Sequence, residues 1–385
     1  MNLSHEILVF GAGCIGRGLL GELATRCGWS LTFVEKSVDL ATALVQSGDY
    51  TVRLVGPEES TTRVAGYRVL RAEDEPGIAK AIERCEFAAT AVGGEQLPSV
   101  APLIAPSLRG RASPLNILVC ENWPRADRVL RDALLRAGAP DGQVTCVPAS
   151  VERMFRRARG SLDLIGESLG TVYVDASRWH GAFPGLAGLV ACGDLAPYYA
   201  RKLFTSNAGH AVLAYEGYLA GYELLYDALG DGAIRNRVEA VLGLAAEMLP
   251  IEYGLDRASL GEHVQMLLRH RYANRELADT VRRVARDPLR KLGSEERLVG
   301  LLRRLQKHRL PIRPVCRAIA AALHYRDVND RESQRLDCII GEGGFGRVLE
   351  EICRMPPEDE AYRLCMAQAE EISCQQRTAV HPTTD

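Results

Sequence analysis

The sequence predicts an α/β protein, with an N-terminal doubly wound sheet followed by a mostly α-helical C-terminal substrate domain. Three observations carry this. A short apolar strand runs directly into a glycine-rich turn and a helix. Strands and helices then alternate as far as Val147. After Leu195 amphipathic helical patterns follow one another almost without interruption. At 385 residues the chain is too long for one small core, and two domains are expected, 1–195 and 196–385. The first is Rossmann-like, because its opening strand–turn–helix carries the spacing of a dinucleotide-binding turn.

That spacing is Gly11-Ala12-Gly13-Cys14-Ile15-Gly16-Arg17-Gly18, preceded by Ile7 to Phe10 and followed by Leu19, Leu20, Leu23 and Ala24 in helical register. Gly11 permits the tight turn, Gly13 lets backbone approach a pyrophosphate, and Gly16 lets helix and strand pack closely; Cys14 and Ile15 open the helix whose free amides face the phosphates. A second strand, Leu31 to Val34, ends in Glu35, 24 residues after Gly11. A carboxylate there accepts from both ribose hydroxyls and repels a 2′-phosphate, which favours NAD over NADP. Lys36 beside it tempers that preference.

Tyr50 to Leu70 alternates apolar and polar residues around Gly56-Pro57 and reads as a hairpin excursion. Alternation then resumes: helix Pro76 to Arg84, strand Phe87 to Val92, helix Leu97 to Leu108, strand Asn116 to Cys120, helix Arg125 to Arg136 and strand Val144 to Val147. Ligands of such sheets bind at the carboxyl ends of the strands, so Ala91-Val92-Gly93 and Glu121-Asn122-Trp123 belong beside the cofactor. From Pro148 to Val190 the pattern reads as extra sheet or a linker. Beyond it, helices are expected at Ile234 to Leu249, Leu260 to Tyr272, Leu277 to Ala285, Glu295 to Lys307, Pro314 to Arg326 and Gly346 to Arg354. Gly341 to Gly346 is expected to be a loop between helices, and Gln375 to Asp385 a frayed tail.

Ala200 to Tyr222 contains no proline and reads as one helix. Wound at 100° per residue, Ser206, His210 and Asn207 fall about 40°, 80° and 140° from Lys202, so a cation, an imidazole and an amide share one sector. Burying such a face as plain core would require a partner for each polar group. Small neighbours, Ala208, Gly209 and Ala211, let a ligand approach.

Composition narrows the class. Apolar residues make up 47% and charged residues 25%, as in ordinary globular proteins, and a net charge of -2 gives no general attraction to nucleic acid or an anionic membrane. No apolar run is long enough to span a bilayer, and Met1 to His5 leads straight into a strand without a signal-peptide pattern, so a cytoplasmic protein without membrane partners is expected. The eleven cysteines are scattered, with no Cys-x-x-Cys and no histidine at ligand spacing. They read as small buried hydrophobes, and no metal site is expected.

Taken together, GAGCIGRG at Gly11 to Gly18, Glu121-Asn122, Ser150 to Arg153, KLFTSNAGH at Lys202 to His210, PLRKL at Pro288 to Leu292 and AAALHYR at Ala320 to Arg326 resemble the polyol-specific long-chain dehydrogenases over essentially the whole chain. The spacing Lys-x4-Asn-x2-His is the most specific part. The total length is similar to that of the sugar-phosphate members. What the resemblance implies is metal-independent hydride transfer between carbon 5 of mannitol 1-phosphate and NAD, giving fructose 6-phosphate. It casts Lys202 as the general base, Asn207 and Asn122 as donors to the developing alkoxide, and His210 as the group orienting the reacting hydroxyl. The neutral form of Lys202 would have to be reachable near neutral pH.

The chain departs from the family pattern at Val151-Glu152-Arg153, where Asp is expected in place of Glu152, and at Arg275, where proline is expected. The substrate contact through Glu152 and Arg153 and the identity of the polyol are thereby left open. Arg269 to Arg313 holds 14 Lys and Arg against 5 Asp and Glu, an excess that could furnish a phosphate clamp. Arg290 and Lys291, following Pro288 at a helix break, are the favoured pair. Two alternatives stand beside this reading: an NAD-dependent dehydrogenase of another polyol or sugar phosphate, and a non-catalytic NAD-binding sensor.

Overall fold

A computed structural model describes residues 5–123, 125–158 and 160–380. The chain divides into two compact units after Tyr198. The N-terminal unit holds twelve strands among the described residues: β1 (Glu6–Phe10), β2 (Ser30–Glu35), β3 (Asp49–Val55), β4 (Ser60–Ala65), β5 (Arg68–Arg71), β6 (Phe87–Thr90), β7 (Leu115–Val119), β8 (Val144–Val151), β9 (Phe155–Arg157), β10 (Leu164–Glu167), β11 (Val172–Asp175) and β12 (Leu189–Cys192).

The main sheet runs β12-β11-β8-β7-β6-β1-β2-β5, and its six strands from β8 to β5 are all parallel. This is the doubly wound order, with the chain reversing direction across the sheet at β1. Both faces are buried, as a parallel sheet requires. Ile7 and Val9 pack with Leu19, Leu20 and Leu23 on one side, while Leu8 and Phe10 pack with Ile78, Ile82 and Leu97 on the other. β11 lies antiparallel to β8 and extends the sheet.

The expected hairpin forms from β3 and β4, but its last residues do not stay with it. Arg68 to Arg71 pair in parallel with Thr32 to Glu35 and supply the edge strand of the main sheet. The hairpin instead joins β10 and β9 in a separate four-stranded sheet, where β3 runs parallel to β10. The segment after Pro148 is therefore sheet, not linker. β8 itself continues to Val151.

The C-terminal unit is helical, as expected, and its helices surround one apolar core. The stretch read as one helix is three consecutive pieces: an α-helix at Ala196–Lys202, a π-helical turn at Leu203–Asn207 and an α-helix at Ala208–Leu219. Leu260 to Tyr272 likewise ends in a π-helical turn, at Leu267–Tyr272. Within Gly341 to Gly346 two helices, together spanning Arg331–Glu351, meet at a kink at Gly344 (φ 69°, ψ -173°), so the expected break between helices is present but is one residue long and not a loop. The final helix runs Glu360–Val380, so the expected fraying does not begin at Gln375; residues 381–385 lie outside the described residues. Six cysteines are buried as expected, whereas Cys338 and Cys374 are exposed.

Candidate active site

In the N-terminal unit the glycine turn has the geometry its spacing predicts. Gly11 has φ 93°, and a Cβ there would lie 2.6 Å from the Ala91 carbonyl oxygen; at Gly16 a Cβ would lie 1.9 Å from the carbonyl oxygen of Gly11. The fold itself demands these two glycines. Gly13 differs, because a Cβ there would meet nothing nearer than Ala91 O at 4.0 Å. Space is left over this residue that no atom of the described residues fills, which is the cradle a pyrophosphate needs.

The turn is clamped by charged side chains. Glu35 Oε2 accepts from Ala12 N at 2.8 Å and Oε1 from Ser37 N at 2.7 Å. The fully buried Arg17 donates from Nε to the Ala12 carbonyl at 2.7 Å and from Nη1 to the Leu162 carbonyl. Both ends of Ala12 are thus fixed. Burial and nearby Arg157 lower the pKa of Arg17, against the opposing influence of Tyr50.

A cleft of about 780 Å³ opens over this turn, lined by Gly11, Gly13, Glu35, Lys36, Ser37 and Val92 among others. Behind its Val92 edge lies Glu121, not itself a lining residue, whose buried carboxylate accepts from Thr90 Oγ1 at 2.8 Å and from Val92 N at 3.1 Å. Burial raises the pKa of Glu121, and these donors oppose the rise. Sequence reasoning placed Glu121 at the strand end without this role: it ties the ends of β6 and β7 and so fixes Val92. Asn122 follows it, exposed, and Trp123 packs against Gly94. Glu152 is buried and does not line the cleft. Arg153 lies 3.7 Å from the fully buried Glu22 in an internal ion pair.

In the C-terminal unit Lys202, Asn207 and His210 share the broken helix. From residue 204 to residue 217 every residue is buried except Asn207 and His210, which are half-buried; Lys202, one turn before them, is also half-buried. A helix that is core nearly all round therefore opens to accessible surface at the residues the spacing singles out. The opening is not regular helix. Ala208 N donates to Leu203 O across the π-helical turn, so the uniform 100° progression expected from Lys202 to Asn207 does not hold.

His210 stacks obliquely on Tyr272, ring centroids 4.6 Å apart. Burial, then the positive charges of Arg271, Arg283, Arg297 and Lys291, hold its pKa well below the ordinary value. The lowered pKa favours the neutral ring, with one nitrogen donating and one accepting. Lys291 is itself buried, and its Nζ donates to the Arg286 carbonyl. Burial and the cations Arg297 and Arg290 push its pKa well down, and among the described residues no carboxylate comes within ion-pair distance of it. Arg290 is less available: Asp287 at 3.4 Å and Glu296 at 3.8 Å already engage its guanidinium. Arg297, missed by the sequence reading though it lies within the cationic segment, is buried and donates from Nε and Nη2 to Glu296 Oε2 at 3.1 and 3.0 Å.

Residues 5–153 match the mannitol dehydrogenase Rossmann domain and residues 194–342 the mannitol dehydrogenase C-terminal domain. The chain belongs to the mannitol dehydrogenase family. It is thereby an oxidoreductase acting on a CH–OH group. The curated mannitol-1-phosphate 5-dehydrogenase of Paenarthrobacter aurescens (strain TC1) is 34% identical over 359 residues, covering 90% of this chain and 94% of that protein. The enzyme of that name from Pseudarthrobacter chlorophenolicus is 33% identical over 373 residues, covering 94% and 96%. Among solved structures, Pseudomonas fluorescens mannitol 2-dehydrogenase in ternary complex with NAD and D-mannitol superposes with a TM-score of 0.77 at 18% identity, covering 98% of this chain and 92% of that one. A D-sorbitol dehydrogenase in substrate-free form gives 0.80 at 17% identity, covering 97% and 94%. Both share the mannitol dehydrogenase fold described here. Among the described residues no helix is long and apolar enough to cross a membrane.

Proposed function

We propose that this family member interconverts D-mannitol 1-phosphate and D-fructose 6-phosphate with NAD, residues 1–195 binding the cofactor and 196–385 the substrate. The observation that carries the reading is the opening of an otherwise buried helix at Asn207 and His210, beside buried cations of which Lys291 has, among the described residues, no carboxylate at ion-pair distance. With Asp287 offsetting only part of the burial and the neighbouring cations, the charged form of Lys291 is costly until an anionic counter-charge joins it. A phosphorylated substrate supplies that counter-charge, and both curated relatives carry a sugar-phosphate name.

The space over Gly13 and the doubly held Ala12 suit the pyrophosphate of NAD, and Glu35 suits its ribose. When bound, NAD supplies the acceptor for the hydride leaving carbon 5. Lys202 Nζ takes the proton of the carbon-5 hydroxyl as its base, so the C–H pair and the O–H proton leave together and a ketone remains. Asn207 and Asn122 donate to the oxygen as charge develops on it. Neutral His210 orients the hydroxyl, and Lys291, with Arg290 beside it, holds the phosphate. The buried position of Glu152 and the engagement of Arg153 by Glu22 give the substrate contact there a supporting role only.

The test is NADH formation by the purified chain with NAD, comparing mannitol 1-phosphate with mannitol, sorbitol and sorbitol 6-phosphate. A strong preference for mannitol 1-phosphate is expected. Equal rates with mannitol would refute the phosphate assignment, and turnover of none of them with NADH still bound would refute the substrate class.

A further inference from the structure

The π-helical turn starts directly after Lys202 and ends on Asn207, and side chains engage one carbonyl just before it and one within it. Thr205 Oγ1 donates to the Arg201 carbonyl at 2.6 Å. His263 Nε2 lies 2.9 Å from the same Thr205 oxygen. Because the Thr205 proton is committed to Arg201, His263 must be the donor in that contact, as a neutral Nε2–H imidazole. Burial, with Arg201 and Arg271, lowers its pKa to about 3 and keeps it in that form. One residue further on, Tyr272 Oη donates to the Ser206 carbonyl at 3.0 Å. Gly209 admits it: a Cβ at Gly209 would lie 2.5 Å from that hydroxyl.

The angular consequence is large. In regular α-helix Asn207 would lie about 140° from Lys202 and His210 about 80°. With i to i+5 bonding the advance falls to about 82° per residue, so five steps bring Asn207 to about 50° and three further α-helical steps bring His210 to about -10°. The spread of the three side chains narrows from about 140° to about 60°.

We propose that Thr205 and Tyr272, with His263 behind Thr205, are positioning residues: they hold the π-helical turn that brings Lys202, Asn207 and His210 onto one face. The proposal rests on the functional reading above for its kinetic consequence, and on the turn alone for its structural one. Tyr272 acts doubly, since its hydroxyl holds the turn while its ring backs His210.

Three substitutions in the full chain test it. Thr205→Val removes one hydroxyl at nearly constant shape, Thr205→Ser keeps it, and Tyr272→Phe removes the other while leaving the ring on His210. Each is assayed for kcat, KM and NADH affinity with mannitol 1-phosphate, and each is crystallised to see whether Ala208 N still bonds Leu203 O. Thr205→Val and Tyr272→Phe are expected to lose about tenfold or more in kcat, since small misplacements of reacting groups are costly, with KM and NADH affinity within about twofold. Their turns are expected to relax to the α-helical bond from Ala208 N to Phe204 O, and Thr205→Ser to restore both rate and turn. Unchanged kcat in both variants, or a retained Ala208–Leu203 bond in both, overturns the proposal. If the unsubstituted chain turns over no polyol phosphate, the functional reading fails, and the crystal structures still decide whether these hydroxyls hold the turn.

Discussion

Gly13→Ala separates what the glycine turn does for the fold from what it does for the cofactor. The added methyl would find its nearest heavy atom, Ala91 O, at 4.0 Å, an ordinary contact, and Gly13 is not among the glycines with positive φ. The folded protein should accept it, and the loss of unfolded-state freedom stabilises by about 0.4–1 kcal/mol where the backbone is compatible. Bound cofactor should not accept it. A methyl over the turn holds the pyrophosphate away from the amides that follow Gly13, and one charge-assisted hydrogen bond lost costs about 2 kcal/mol, about thirtyfold in Kd. Gly16→Ala is the control with opposite sign: its methyl would stand 1.9 Å from Gly11 O, a backbone atom that cannot yield without moving the turn. Thermal unfolding and NADH titration of both variants read the difference. Gly13→Ala should melt at or above the parent temperature and bind NADH about thirtyfold more weakly, whereas Gly16→Ala should melt lower. Parent-like NADH affinity in a stable Gly13→Ala chain would refute the placement of the pyrophosphate.

Glu22→Ala should destabilise by about 3–5 kcal/mol in denaturant titration, because it leaves Arg153, whose side chain is only 11% exposed, without the carboxylate it faces at 3.7 Å; a loss below about 1 kcal/mol would show the pair to be dispensable. His263, with a folded pKa of about 3 against an ordinary 6.5, binds its proton more readily in the unfolded chain, so it destabilises the fold increasingly as pH falls from 6.5 towards 3. His263→Gln should flatten that part of the stability-versus-pH curve, and an unchanged slope would mean the imidazole does not titrate there. Lys291→Met should raise KM for mannitol 1-phosphate by about ten- to a hundredfold while leaving NADH affinity intact, the loss of a charged hydrogen bond being worth about 1.5–3 kcal/mol. An unchanged KM in steady-state assays would remove Lys291 from the phosphate site.

The parts legible in the sequence are those set by neighbours along the chain. The tight turn at Gly11, the close packing at Gly16 and the acid at the end of β2 are all fixed within one strand–turn–helix unit. The second sheet was not legible, because its central pairing joins β3 to β10 across more than a hundred residues and neither strand signals its partner. For the same reason Arg68 to Arg71 read as the end of a hairpin when they close the main sheet. Arg153 presented a substrate-like side chain in sequence, yet its guanidinium is turned towards Glu22, a choice made by packing and not by local pattern.

The π-helical turns were hidden by the assumption of one pitch, but two of the three among the described residues, Gly16–Gly21 and Leu203–Asn207, left a trace. At Gly16–Gly21 the Arg17 carbonyl accepts from Tyr50 Oη at 3.0 Å, and a Cβ at Gly21 would lie 2.2 Å from that hydroxyl. At Leu203–Asn207 the Ser206 carbonyl accepts from Tyr272 Oη, and Gly209 makes the room. The same device occurs twice: a tyrosine from 33 or 66 residues away satisfies a carbonyl of the turn, and a glycine lets it in. A glycine within a helix costs about 1 kcal/mol against alanine, so it requires an offsetting contact. Neither Gly21 nor Gly209 has a positive φ, so backbone conformation does not require either of them. The requirement is the approach of the tyrosine, and in both places the helix so modified bears residues of the proposed sites: one leads out of the glycine turn, and the other carries Lys202, Asn207 and His210.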